Sequence, residues 1–117
     1  MEYTSVTEKS LDFAVRVVNL RKYLVSNRKE YILSKQLLRA GTSIGANIAE
    51  AQRGQSKADF IAKMSIALKE ASETEYWLHL LRRTNYLTQK QFDSIFADAT
   101  ELSKMLMAIC KSANAKE

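Results

Sequence analysis

Proline is absent from the 117-residue chain, and glycine occurs only three times. Without proline, nothing in the sequence forces a break in a long helix. A chain this poor in glycine also lacks the flexible linkers that separate domains. Cysteine occurs once, at Cys110. An internal disulfide is therefore impossible, which fits a reducing, cytoplasmic setting. One histidine, His79, joins that cysteine, and the pair cannot close a four-ligand zinc site. A di-iron bundle needs two Glu-x-x-His motifs, whereas the residue three before His79 is Tyr76. No metal and no cofactor is expected. No apolar run approaches the roughly 18 residues of a membrane span, and MEYTSVTEKS lacks the basic and apolar regions of a signal peptide.

What is present is helical spacing, with no sustained alternation of period two. Hydrophobic residues make up 46% of the chain and charged residues 26%, ordinary values for one globular domain over residues 1–117. Four segments are predicted as helices, roughly 6–25, 33–53, 57–83 and 89–113. Ser5 with Glu8, Ser56 with Asp59, and Thr88 with Gln91 supply N-cap patterns. Residues 26–30 read as a polar connection. Gly54 and Asn85 read as helix stops, Gly54 through a left-handed conformation. On the first helix Leu11, Ala14 and Val18, together with Phe13, Val17, Leu20 and Leu24, make a wide apolar stripe, and the residues expected to be buried elsewhere are Leu37, Ile44, Ile48, Phe60, Met64, Leu78, Leu81, Ile95, Leu102, Leu106 and Ile109. A second seam on the third helix reads Ile66, Glu70, Glu73, Trp77, Leu80. Short connections make sequential helices antiparallel, and three-four spacing favours shallow crossings. The expected fold is all-α, an antiparallel, up-down-up-down, left-handed four-helix bundle.

The second segment carries more than a core stripe. Gly41, Gly45 and Ala49 recur every four residues, so they share one side of a helix. Each interior glycine costs a helix about 1 kcal/mol relative to alanine, a cost accepted where another backbone comes close. Beside them runs a polar stripe of Arg39, Ser43, Asn47 and Glu50. With Glu70 and Glu73 it reads as a structural polar network, because carboxylates leave water only when paired. Its extra faces suggest contacts beyond the chain's own core. Cys110 reads as a small buried hydrophobe and His79 as a boundary residue. Nothing forms a catalytic constellation, so a non-enzymatic protein is expected.

The net charge of +5 is unevenly spread. From Phe13 to Lys57 there are nine bases and two acids, a net of +7. From Asp59 to Glu101 there are five bases and seven acids, a net of −2. Such asymmetry suits a phosphate polymer. Arg16, Arg21, Lys22, Arg28, Lys29, Lys35 and Arg53 are the candidate phosphate contacts, interleaved with Tyr23 and Tyr31, whose rings can stack on unpaired bases. The alternative is a protein-interaction scaffold or adaptor whose basic charge is incidental.

The run LLRAGTSIGANIAEAQRGQSKADFIAKMSIALKEASETEYWLHLL resembles the signature of the 23S ribosomal RNA intervening-sequence protein family. The matching positions are Arg39, Ala40, Ser43, Ile44, Asn47, Ile48, Ala49 and Glu50, then Ser56 with Asp59 and Phe60, then the run from Ile66 to Leu78. Ala51 stands where the family commonly has glycine. The family is similar to the accessory variability proteins of diversity-generating retroelements. The resemblance implies a small bacterial four-helix bundle, assembled as a homopentamer with a central channel and a basic surface. It further implies binding to RNA or DNA, with a reverse transcriptase as a partner in the retroelement branch, and it carries over no established catalytic activity.

Overall fold

The computed structural model describes residues 4–115, which hold four helices and no strand. They are α1 (Thr4–Arg28), α2 (Leu33–Ala51), α3 (Lys57–Arg83) and α4 (Gln89–Ala115). The molecule is a rod of 47 × 20 × 19 Å, its long axis set by helices of about 40 Å at 1.5 Å per residue. Each helix packs on the next in sequence, and α1 closes the ring against α4. Residues early in one helix meet residues late in its neighbour, the pattern of antiparallel pairs. Thr7 meets Gln52, Lys9 meets Glu101 and Glu50 meets Lys63.

The core follows the three-four spacing. Phe13, Val17 and Leu24 from α1 meet Leu37, Ile44 and Ile48 from α2. Met64, Leu78 and Leu81 from α3 and Ile95, Leu102 and Leu106 from α4 complete it. Cys110 is buried among them. Three buried hydroxyls find carbonyls one turn back: Ser10 bonds Thr7 O at 2.8 Å, Ser34 bonds Glu30 O at 3.0 Å, and Thr74 bonds Glu70 O at 2.7 Å. None of them is left as an orphaned donor. The apolar stripe on α1 is wider than the arc the bundle covers. Leu11, part of that stripe, is 66% exposed. Phe60 and Ile109 are only half-buried, because each lies near an end of the rod where the ring of helices stops covering them.

The helix ends show what the pattern carries and what it does not. Ser56 Oγ accepts from Asp59 N–H at 3.1 Å. Thr88 and Gln91 make a reciprocal capping box, with bonds of 3.1 and 2.8 Å. Asn85 takes the left-handed conformation at φ 69°. Its N–H donates to Arg82 O at 3.0 Å and that of Tyr86 to Leu81 O at 2.9 Å, a Schellman closure of α3. Other helix ends differ from the pattern. Ser5 lies inside α1, since Thr4 is already helical. The helix continues through Ser26, Asn27 and Arg28, and the left-handed residue that ends it is Lys29, at φ 55°. α2 stops at Ala51, two residues early, and its last turn tightens through Arg53 N–H to Glu50 O and Gly54 N–H to Ala51 O, both 3.1 Å. Gly54 has no positive φ. Its value is room, since a Cβ there would stand 3.1 Å from Asp59 Cβ and 3.2 Å from Ala51 O.

Candidate nucleic-acid interface

The antiparallel arrangement gathers the last turns of α1 and α3 and the first turns of α2 and α4 at one end of the rod. Residues 21–36 and 79–94 hold eight bases and two acids, a net of +6. The rest of the chain therefore nets −1. One of the two acids, Glu30, is buried beneath the α1–α2 turn, 7% exposed. The other, Asp93, accepts from Gln89 at 2.7 Å. The end keeps a net charge of +6, with Asp93 as the one exposed acid among its residues.

Five of the seven residues expected to contact phosphate meet here: Arg21, Lys22, Arg28, Lys29 and Lys35. The structure adds Arg82, Arg83 and Lys90 from the α3–α4 side. Sequence order hides these three, because they lie in the half of the chain that is acidic on average. Lys22, Lys35, Arg83 and Lys90 are exposed. Arg28 does more than carry charge. Its guanidinium donates to Tyr86 O at 2.9 Å and Asn85 O at 3.0 Å, and sits 5.3 Å from the centre of the Tyr86 ring. It thereby fastens the end of α1 to the α3–α4 turn. Lys29 Nζ donates to Ser26 O at 3.1 Å. Arg82 lies 5.9 Å from the Phe92 ring centre, and Phe92 and Phe96 stack on each other, with His79 tilted against the first and edge-on to the second.

Two candidates fall elsewhere. Arg16 lies mid-rod and is engaged with α4, donating to Asp98 at 2.7 Å and to Ser94 Oγ at 2.8 Å. Arg53 is exposed at the opposite end. That opposite end is mixed in sign. A 670 Å³ recess between α1 and α4 there is lined by Glu8, Lys9, Asp12, Asp98 and Glu101. Lys9 is held charged above its ordinary range by its bond to Glu101. Among the described residues no group of three or more His, Cys, Asp or Glu is placed to hold a metal ion, and no helix is long and apolar enough to cross a membrane.

The turn at the basic end is built around Glu30. Its carboxylate accepts from the backbone N–H of Ile32 at 3.1 Å, Leu33 at 2.9 Å and Ser34 at 2.7 Å. These are three of the unpaired donors at the start of α2. Burial by itself raises the carboxyl's pKa, but the three donors outweigh it and hold the group below its ordinary value.

The polar stripe of α2 divides. Arg39 bridges to Glu70 at 3.4 Å and to Glu73, and Glu73 also accepts from Trp77 Nε1 at 3.0 Å. The Trp77 bond and then Arg39 hold the Glu73 carboxyl below its ordinary range. Ser43 and Asn47 instead bond carbonyls of their own helix, Arg39 O and Ser43 O, at 2.7 and 2.8 Å. Glu50 leaves the group and pairs with Lys63 at 2.9 Å. Arg39 is 48% exposed, so these pairs are worth at most about 1 kcal/mol.

The small stripe divides too. Gly41 and Gly45 face α1: a Cβ on Gly41 would stand 2.8 Å from a Val17 methyl, and one on Gly45 3.1 Å from Ser10 Oγ. Their close approach is made within the chain. Ala49 is exposed, with Ala46 three residues before it. On α1, Leu11 and Val15 lie one turn apart and are 66% and 53% exposed.

Residues 2–108 match the family of 23S rRNA-intervening sequence proteins. A solved structure from Bacteroides thetaiotaomicron, described as a protein with unknown function from the S23 ribosomal protein family, is 62% identical to the chain. It superposes with a TM-score of 0.90, covering 91% of this chain and 98% of that one. No curated protein matches.

Proposed function

The chain belongs to the 23S rRNA-intervening sequence protein family, and we propose that it is a non-enzymatic homo-oligomer that grips the phosphate backbone of RNA or DNA with the basic end of its bundle. The observation that carries this reading is the gathering of eight bases at one end, with one of the two acids there buried. A contact of that kind releases counterions and reads little sequence. Lys22, Lys29, Lys35, Arg83 and Lys90 reach the backbone, while Arg28 holds the platform together. Arg16, engaged with Asp98, and Arg53, at the far end, stand outside the contact.

Assembly has its own support. Leu11 and Val15 place two large apolar side chains in water on one side of α1, which a heterologous contact repeated around a ring would cover. Five copies is the number the family resemblance implies. A ring multiplies the basic end, so weak contacts add through avidity.

The test is an anisotropy titration of structured RNA, single-stranded RNA and duplex DNA at low and physiological salt. Binding that falls steeply with salt, and falls again in Lys22→Glu with Lys35→Glu, supports the reading. No binding to any of the three at low salt refutes it and leaves the scaffold or adaptor reading, with a reverse transcriptase as one candidate partner. Light scattering tests assembly: Leu11→Arg with Val15→Arg lowers the mass toward that of one chain if the α1 face is the contact.

A further inference from the structure

The α1–α2 turn holds two large apolar side chains where turn chemistry favours small or polar ones. Tyr31 is 52% exposed and Ile32, beside it, 75%. Neither is a loose end. Beneath them the Glu30 carboxylate ties down the N–H groups of Ile32, Leu33 and Ser34. Behind them the N–H of Glu30 donates to Leu24 O at 3.0 Å. Arg21 reaches the Tyr31 carbonyl at 3.4 Å. A buried carboxylate therefore fixes a backbone whose outward product is an aromatic ring in water.

Tyr31 follows Lys29 by two residues and precedes Lys35 by four, at the net-positive end of the rod, with no acid in the turn except the buried Glu30. An exposed aromatic ring carried on a fixed backbone in a positive field matches one ligand chemistry well: an unpaired nucleotide, whose base stacks while its phosphate meets the lysines. Bases inside a continuous duplex are already stacked on one another and offer no free face. Prying them apart costs several kcal/mol per step, which a single tyrosine beside an isoleucine does not recover. Because the turn is ordered before binding, little further ordering opposes the contact.

We propose that Tyr31 is a base-stacking residue and that the turn selects unpaired nucleotides, as in a bulge, loop or single strand, over continuous duplex. This rests on the nucleic-acid reading above and sharpens it. Lysine contacts alone would favour the more densely charged duplex, so a preference for unpaired nucleotides belongs to the ring.

The experiment compares two RNA hairpins of the same stem, one fully paired and one with a three-nucleotide bulge carrying 2-aminopurine. The wild type is expected to bind the bulged hairpin about tenfold more tightly and to quench the 2-aminopurine. Tyr31→Phe keeps both effects, because the ring remains. Tyr31→Ala loses both but still binds the paired stem as the wild type does. Equal affinity of the wild type for the two hairpins overturns the proposal, as does a bulge preference that survives Tyr31→Ala; in both cases the phosphate-contact reading stands. Binding of neither hairpin at low salt overturns both readings. Anionic phosphatidylserine vesicles form a parallel arm: vesicle binding abolished by Tyr31→Ala, without any bulge preference, overturns the proposal in favour of a lipid surface.

Discussion

Replacing Glu30 isolates the part of the molecule on which the basic end depends. Its carboxylate serves three backbone donors, and the most buried of them belongs to Ser34, which is fully buried. In Glu30→Ala the Ser34 N–H loses its partner where water does not reach, a penalty of about 1–3 kcal/mol. The N–H groups of Ile32 and Leu33 lose a helix cap but lie nearer water, adding about 1 kcal/mol. The expected loss is about 2–4 kcal/mol. At roughly 4 °C per kcal/mol for a chain of this size, the melting temperature falls by about 8–16 °C. Glu30→Gln keeps the shape and loses the charge, so it falls between.

The pH dependence follows from the direction of the shift. The folded pKa lies below the ordinary 4.5, so the contribution is fully present above that value and is lost as pH falls through the folded pKa. The stability gap between wild type and Glu30→Gln is therefore constant near neutrality and narrows only below about pH 4.5. Denaturant melts at a series of pH values measure it. A Glu30→Gln protein as stable as wild type at neutral pH would refute the reasoning, and so would a gap that stays constant into acid.

Gly41→Ala should destabilise by about 1 kcal/mol despite better helix propensity, because its Cβ meets the stiff, fully buried Val17 at 2.8 Å. Gly45→Ala, which meets only Ser10 Oγ at 3.1 Å, should be neutral or stabilising by up to about 1 kcal/mol. Paired thermal melts separate the two, and equal effects would defeat the packing argument. Arg28→Met should lose about 1–2 kcal/mol through its two carbonyl bonds, a drop in melting temperature that Lys22→Met does not show.

Regular helix was legible in the sequence because burial enforces a period. The α3 boundaries at Lys57 and Arg83 follow from Ser56 and Asn85, whose local chemistry suffices to start and stop a helix. The end of α1 was not legible, because Ser26, Asn27 and Arg28 read as polar linker while the decisive bonds reach Asn85 and Tyr86, more than fifty residues on. Glu30 reads as part of the same polar connection, because only the folded turn shows that its oxygens face three N–H groups. Charge counted along the chain reveals Lys22 and Lys35 but not Arg83 and Lys90, which lie in its acidic half. Adjacency in the rod, not in sequence, brings those four to one end. The glycine spacing points to a close neighbour without saying which, and only the fold puts the side chains of Val17 and Ser10 on α1 beside Gly41 and Gly45.

The order of the helices around the ring has a kinetic consequence. Three of the four seams join helices that are consecutive in the chain, and only α1 against α4 joins its two ends. Each consecutive pair can zip from its own short turn, with little loop entropy to overcome, so the topology favours rapid collapse. The α1–α4 seam must wait for the rest, and it is bridged by partly exposed pairs at Lys9–Glu101 and Arg16–Asp98. Amide exchange should therefore be faster along α1 and α4 than along α2 and α3, and added salt should quicken it there first.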